Sequence, residues 1–298
     1  MRPELSQAIE LLKTGLPEDI ERALGLMQST VYSFSMKVCG HAEDAEDTSQ
    51  EVLFRSLPYL AKIEDPRALA VWLYTVTRNR CWRMRRKSAH APQQMLSLDE
   101  LMPDAQELQR LLADAAPGPE DRVLNSEQNA LLQEAVLRLP PALRMVLVLH
   151  DMEELTTEEV AHILDLQPGT VRVRLHRARL QMRKEMKALE APSPTATEAG
   201  MRPRRVSATQ RNADCRNIFA NLSEYLDGRV EPLSCEQMRR HIETCPSCVA
   251  FLRDLRAAID RCRQFDASCD PAVARRLRSA LTREYLRMIG LPSPSHIS

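Results

Sequence analysis

Glycine, aromatic side chains and net charge are all scarce in this 298-residue chain. It has 8 glycines, aromatics make up 4% of it, and 41 Lys and Arg balance 41 Asp and Glu. Leu, Ala, Arg, Glu and Met instead recur at three- and four-residue spacings, which predicts an all-α fold. No stretch approaches the roughly 18 uncharged apolar residues that a membrane span needs. The start, MRPELSQAIELLK, carries acids early and lacks the apolar core of an export signal. These absences predict a cytoplasmic chain without membrane insertion. GxxxxGK[ST] and GxGxxG are also missing, and no nucleophile can be matched to a base by spacing. No catalytic residue and no small-molecule substrate are therefore expected, and the protein reads as a non-enzyme.

The zero net charge hides opposite local fields, and the punctuation divides the chain. Helical patterning runs from about Leu5 to Lys87. It breaks in SAHAPQQMLSLDELMPDAQELQRLLADAAPGPED, with seven acids against one Arg. A second helical block runs from about Asn125 to Leu189 and ends in EAPSPTATEAGMRPRRVSATQ, the composition of a flexible tether. A third starts near Cys215. The expected segments are 1–90, a connector at 91–122, 123–190, a tether at 191–213, and 214–290. Six of the eight cysteines lie after residue 210, which marks the last segment as a separate module. In a reducing compartment such clustering points to metal ligands or reactive thiols rather than disulfides.

In the middle block, LTTEEVAHILDLQPGTVRVRLHRARLQMRKEM (residues 155–186) has the form of a helix, a short turn and a second helix. Thr156 and Glu159 make a capping box. Val160, Ile163 and Leu164 form the first helix's buried stripe, and Gln167-Pro168-Gly169 is expected to stop it. The second helix is expected to bury Val171, Leu175, Ala178 and Met182. Its other faces carry Arg172, Arg174, His176, Arg177, Arg179, Arg183 and Lys184, with no acid between residues 166 and 184. That arrangement presents side chains to a DNA major groove, where Arg bonds both acceptors of a guanine edge. The competing reading is a helical hairpin with a solvated basic face.

In the first block, HAEDAEDTSQEVLFRSLPYL is an amphipathic helix with Val52, Leu53, Leu57 and Leu60 inward. DPRALAVWLYTVTRNRCWRMRRK is a second, with Trp72, Leu73, Val76 and Cys81 on the inner side and Arg78, Arg80, Arg83, Arg85, Arg86 and Lys87 outside. Basic residues interleaved with Tyr74 and Trp82 suit single-stranded nucleic acid, where bases stack on rings while cations follow phosphates.

Taken together, these stretches resemble the extracytoplasmic-function (ECF) sigma factors of the sigma-70 family, over about residues 20–188. AEDTSQE (residues 45–51) is similar to the family's region-two signature, WLYTVTRNRCWRMRR to its promoter-melting helix, and LRLPPALRMVLVLHDMEELTTEEVAHILDLQPGTVRVRLHRARLQMRK to region four. The resemblance implies core RNA polymerase and promoter DNA as partners. It places Asp47, Gln50, Glu51 and Phe54 on the surface that docks polymerase. It assigns Trp72, Asn79, Arg80 and Arg83, with the loop around residues 62–69, to the melted downstream promoter element. The upstream element falls to Thr170, Arg172, Val173, Arg174, His176 and Arg177. Gln167 departs from the pattern, standing where the family usually has a Ser or Thr helix cap. The acidic connector fits either a nucleic-acid mimic directed at the polymerase active centre or a solvated spacer.

HIETCPSC, residues 241–248, has no counterpart in the first two blocks. His241 and Cys245 are four apart, on one helical face, and Pro246 suits the first position of a new helix. Cys248 then falls in that helix's opening turn, where the dipole favours the thiolate a metal requires. A fourth ligand is expected from Cys215, with Cys235 as the alternative. The stretch from Cys215 to about residue 260 resembles a zinc-binding anti-sigma domain, which implies a structural zinc and a regulator fused in cis. Its sign, activating or inhibiting, is left open, as are a metal or redox signal and a separate signalling or anti-sigma partner. Cys235, Cys262 and Cys269 are either idle or ligands of a second metal. Two further readings stand beside this one: a helix-turn-helix regulator acting without polymerase, and a thiol-disulfide enzyme using Cys245 and Cys248.

Overall fold

The computed structural model describes residues 3–60, 63, 65–85, 126–190, 213–228, 232–265, 267 and 269–291. Every regular element among them is helical, so the all-α expectation holds. The acidic connector and the tether lie outside the described residues. The chain forms two compact units that alternate along the sequence. One takes residues 1–91, 148–168 and 266–298, the other 92–147 and 169–265.

The first unit opens with α1 (Pro3–Lys13), α2 (Pro17–Cys39), α3 (Ala42–Leu60) and α4 (Pro66–Arg85). α2 starts on a proline, whose fixed φ suits a first turn, and ends at Gly40, in the left-handed region at φ 85°, whose N–H bonds the Met36 carbonyl. Ile20, Leu24, Met27, Val31, Phe34 and Val38 are buried at helical spacing, and so are Thr30, Ser33, Ser35 and Lys37 on other faces. From Thr30 to Val38 the helix is enclosed on nearly every face, which makes this half central, and α1, α3 and α4 pack against α2. Hydroxyls that enter this core are satisfied within their own helices: Ser35 donates to Val31, Ser49 to Ala45, Ser56 to Val52 and Thr77 to Leu73.

The same unit contains a π-turn at Val148–Met152 and α7 (Thr157–Leu164). The capping box forms as expected: Glu159 N–H bonds Thr156 Oγ1 and Thr156 N–H bonds the Glu159 carboxylate. The helix stops earlier than expected. Asp165 adopts the left-handed conformation at φ 55° and its N–H turns back to Ala161 and His162, so the stop precedes Gln167-Pro168-Gly169. Asp tolerates that region better than most L-residues. The unit closes with α12 (Pro271–Met288), capped by Asp270, which accepts from the N–H groups of Ala272 and Val273. Leu281, Thr282, Tyr285 and Leu286 of α12 are buried, and the helix packs on α2 and α3.

The second unit holds α5 (Ser126–Arg138), α6 (Pro141–Leu147), α8 (Pro168–Glu190), α9 (Ala213–Leu226), α10 (Pro232–Thr244) and α11 (Pro246–Gln264). Its core joins Leu180 of α8 to Phe219 and Leu222 of α9, Met238 and Ile242 of α10, and Cys248, Phe251, Leu255 and Ile259 of α11. Phe219 and Phe251 meet edge to face at 4.8 Å.

Candidate nucleic-acid interface and metal centre

Sequence reasoning gives α8 one apolar stripe and a basic exterior. Val171, Leu175, Ala178 and Met182 are indeed buried. Arg172 and Val173 are exposed, and Thr170, Arg174 and Arg177 are half-buried, so five of the six residues assigned to the upstream element are at least partly accessible. Three residues differ. Arg179 and Arg183 are each 1% exposed and His176 is 8% exposed. Among the described residues, neither ring nitrogen of His176 has a hydrogen-bond partner. Burial, with Arg179 and Arg177 adding to it, pushes the His176 pKa down to about 4. A neutral, enclosed imidazole is a poor base-reading group.

The buried arginines owe their position to the C-terminal segment. Arg179 donates from Nη1 to Ser223 Oγ at 2.7 Å and to Asp227 Oδ2 at 3.0 Å, and from Nη2 to Asp227 Oδ1 at 2.8 Å. This is the paired-fork geometry that guanidinium and carboxylate favour. One turn on, Arg183 Nε donates to Asp254 Oδ2 at 2.6 Å while its guanidinium lies 4.3 Å from the centre of the Phe251 ring. Lys187 joins the same carboxylate at 3.1 Å. Thus α9 and α11 grip three cations on successive turns of α8, Arg179, Arg183 and Lys187, and Leu180 enters their apolar core.

In the first unit the residues expected to meet polymerase and melted DNA lie on two adjacent helices. Asp47 and Gln50 of α3 are exposed, while Glu51 and Phe54 are half-buried. Glu51 ion-pairs with Arg80 of α4 at 2.7 Å and with Arg55 at 2.9 Å. Asn79 is exposed, and its side-chain oxygen accepts from Arg78. Trp72 is half-buried against Tyr59, their ring centres 5.6 Å apart. The side chains of Trp82, Arg83 and Lys62 fall outside the described residues. Tyr74 is not a stacking platform: it is 2% exposed, packs edge-on against Phe34, and donates its hydroxyl to Glu153.

Glu153 is a site that sequence reasoning missed. Its carboxylate accepts from Tyr74 at 2.7 Å and from Lys37 Nζ at 2.7 Å, with both charged side chains fully buried. Lys37 interrupts the otherwise uncharged run VYSFSMKVC, and that interruption was the available signal.

The metal candidates converge in part. The ligand atoms of His241, Cys245 and Cys248 lie within 4.8 Å of one another, and His241 Nε2 is 3.3 Å from Cys248 Sγ. Bond lengths of 2.3 Å for zinc–sulfur and 2.0–2.1 Å for zinc–nitrogen, at a tetrahedral angle, put such atoms about 3.6 Å apart. Locally the chain does what the spacing predicts. α10 carries His241, the Cys245 N–H closes on the His241 carbonyl, and Pro246 starts α11 so that Cys248 sits in its first turn. Two thiols and an imidazole, with Cys248 1% exposed in the module's core, fit a zinc ion. Cys215 belongs to α9, but its side chain, like that of Cys235, lies outside the described residues.

Residues 26–91 match Sigma-70 region 2, residues 129–182 match Sigma-70, region 4, and residues 215–248 match a zinc-finger family. The chain belongs to the extracytoplasmic-function sigma factors and carries an anti-sigma-like zinc-finger domain at its C-terminal side. It is 26% identical over 190 residues to the ECF RNA polymerase sigma factor SigW of Bacillus subtilis, covering 63% of this chain and 100% of that protein. It is 34% identical over 148 residues to the RNA polymerase sigma-E factor of Streptomyces coelicolor, covering 49% of this chain and 73% of that one. Among solved structures it is similar to the sigma factor RpoE of Bartonella quintana, crystallised with the anti-sigma factor NepR, at 21% identity and a TM-score of 0.41 over 57% of this chain and 98% of that one.

The family acts in transcription initiation and is not enzymatic, which leaves the thiol-disulfide enzyme reading without support. RNA polymerase and promoter DNA are the partners the family implies. No helix among the described residues is long and apolar enough to cross a membrane.

Proposed function

We propose that this sigma factor is restrained in cis by its own zinc-finger module, and that the restraint works by occupying α8. One observation carries the reading: Arg179 and Arg183, cations of the helix assigned to the upstream promoter element, are buried against Ser223, Asp227, Asp254 and Phe251 of the module. A guanidinium bound to a carboxylate inside the protein is withdrawn from DNA phosphate, and phosphate contacts supply much of a DNA-binding protein's affinity. The exposed Arg172 and Val173, with the half-buried Thr170, Arg174 and Arg177, would read base edges once the helix is released. Covalent linkage in one chain gives the module a high effective concentration at α8, so contacts of modest strength suffice.

The remaining assignments follow the same frame. Residues 1–90 would bind core polymerase through Asp47, Gln50, Glu51 and Phe54, and the melted downstream element through Trp72, Asn79, Arg80 and Arg83. Residues 123–190 would bind the upstream element, with 91–122 as the connector. Residues 191–213 would tether the regulatory module at 214–290. α12 supports a second restraint, on the first of these segments. It lies along α2 and α3, with Arg278 3.6 Å from Glu21 and the Cys269 thiol close enough to Glu46 to feel its charge. A structural zinc on His241, Cys245, Cys248 and Cys215 would hold the start of α11 to the end of α10 and support the folding of a module with a small core. A separate protein that displaces the module from α8 would serve as the signal.

Promoter-dependent transcription with core polymerase tests this by comparing the full chain with one ending near Ala191. The shorter chain is expected to initiate more strongly. Equal activity would overturn the restraint, and inactivity of both forms would overturn the polymerase and promoter assignments.

A further inference from the structure

Two cysteines outside the zinc module face each other in the first unit. Cys39 is the last residue of α2 and Cys81 lies on α4, and their Sγ atoms are 2.8 Å apart. Cys81 is fully buried, while Cys39 is partly exposed. The chain separation is 42 residues, so no local turn forces the meeting. A disulfide has a sulfur–sulfur length of 2.03–2.05 Å, so bonding requires a closure of only ~0.8 Å. The backbone around Cys39 is already fixed, because the next residue, Gly40, closes α2 in the left-handed conformation. On the other side, Cys81 directly follows Arg80, whose guanidinium is held by Glu51 of α3.

We propose that Cys39 and Cys81 form a peroxide-responsive dithiol that ties the end of α2 to the promoter-melting part of α4. Partly exposed Cys39 meets the oxidant first. Its sulfur attacks one peroxide oxygen, the O–O bond breaks, one water leaves, and a sulfenic acid remains. The Cys81 sulfur then displaces that oxygen as a second water, and the sulfur–sulfur bond forms. Two thiols lose two electrons and two protons in total, and one hydrogen peroxide becomes two waters. The Cys81 sulfur, 2.8 Å from that of Cys39, supplies the resolving thiol in place, which favours the disulfide over further oxidation of Cys39. In a reducing compartment a disulfide of this kind is transient and informative rather than structural.

The consequence for function rests on the assignment of Asn79 and Arg80 to melted DNA. A covalent tie one residue from Arg80 fixes α4 in the arrangement where that side chain bonds Glu51. To reach melted DNA the Arg80 guanidinium must leave Glu51, and a tie at the next residue opposes that release. Oxidation therefore lowers open-complex formation, and a dithiol reductant restores it.

The test uses the full chain treated with hydrogen peroxide and then alkylated, digested and mapped by mass spectrometry. A peptide linking Cys39 to Cys81, lost on dithiothreitol treatment, is expected. A fully alkylated pair, or Cys39 oxidised to the sulfinic acid with Cys81 still alkylated, would overturn the proposal. Zinc content is measured on the same samples, so damage at Cys245 and Cys248 is seen separately. Open-complex formation with core polymerase is then compared for wild type, Cys39→Ser and Cys81→Ala under the same oxidant. Wild type is expected to lose most of its promoter opening reversibly, and both variants to keep theirs. Equal losses in wild type and variants, or a linked peptide without any loss, would overturn the switch. A chain that never opens promoters even when reduced would instead defeat the assignment of α3 and α4 to polymerase and melted DNA while leaving the linked peptide as a sound result.

Discussion

Removing the two acids of the module that pair with α8, while leaving α8 untouched, separates restraint from DNA contact. Asp227→Ala leaves the Arg179 guanidinium, 1% exposed, without the carboxylate that takes two of its hydrogen bonds. Breaking one side of a buried ion pair costs about 3–5 kcal/mol, because the surviving charge stays desolvated. Asp254 is more exposed, at 22%, and its charge is shared by Arg183 and Lys187. Its loss costs less, about 1.5–3 kcal/mol for charge-assisted bonds. A conservative sum for the double variant is about 4 kcal/mol, a shift of roughly a thousandfold in the docking equilibrium at 1.4 kcal/mol per decade. The released helix regains its two buried cations, Arg179 and Arg183, and each phosphate neutralised adds about 0.9 to the slope of log affinity against log salt. Holoenzyme assembled with Asp227→Ala/Asp254→Ala should bind promoter DNA more tightly at low salt. Its salt dependence should be steeper by about 1.8 than that of wild type. The measurement is fluorescence anisotropy of a promoter fragment across a salt series, with helix content and zinc content as checks on folding. A folded, zinc-loaded double variant with wild-type affinity and wild-type slope would refute the claim that these contacts restrain the DNA-binding helix.

Other outcomes follow from the same structure. Purified protein should carry about one zinc per chain; Cys245→Ser or His241→Ala should lose it and lower the module's melting temperature, which metal analysis and calorimetry would show. Stability should fall as pH drops from 6.5 toward 4, since the unfolded chain protonates His176 at its ordinary pKa of 6.5 while the folded chain does so only at about 4. The full loss is on the order of 3 kcal/mol; chemical denaturation across that range should show a shallower decline in His176→Leu. Glu153→Leu should destabilise the first unit by about 3–5 kcal/mol by removing the buried counter-charge of Lys37, and Lys37→Met/Glu153→Leu should recover much of it, as urea titrations would report. Thr156→Ala should cost about 1 kcal/mol through loss of the helix cap.

What the sequence disclosed, and what it hid, divides along the range of the interactions. Local chemistry was legible. The Thr156–Glu159 box, Pro168 at the start of α8 and the His241, Cys245, Cys248 geometry depend on residues within seven positions of one another, so spacing alone specifies them. The apolar stripes of α3 and of the first half of α8 were legible for the same reason. Long-range polar pairing was not. Tyr74 looks like a stacking ring until Glu153, 79 residues away, is found to accept its hydroxyl. Arg179 and Arg183 look like solvated cations until Asp227 and Asp254, 48 and 71 residues on, are found to hold them. Periodicity ranks a position by hydropathy, and hydropathy places every Arg outside. A guanidinium enters the interior only when a carboxylate comes with it, because an isolated charge pays several kcal/mol of desolvation. The partner must therefore be identified before burial can be inferred, and nothing in the pattern of α8 names a partner on another helix. That physical requirement also explains why the grip on α8 is suited to regulation. A charged pair contributes little net stability when intact, but losing one member costs several kcal/mol. A signal that removed or competed for a single acid of the module would thus act on the proposed restraint with far more leverage than the burial of the same area of leucine would offer.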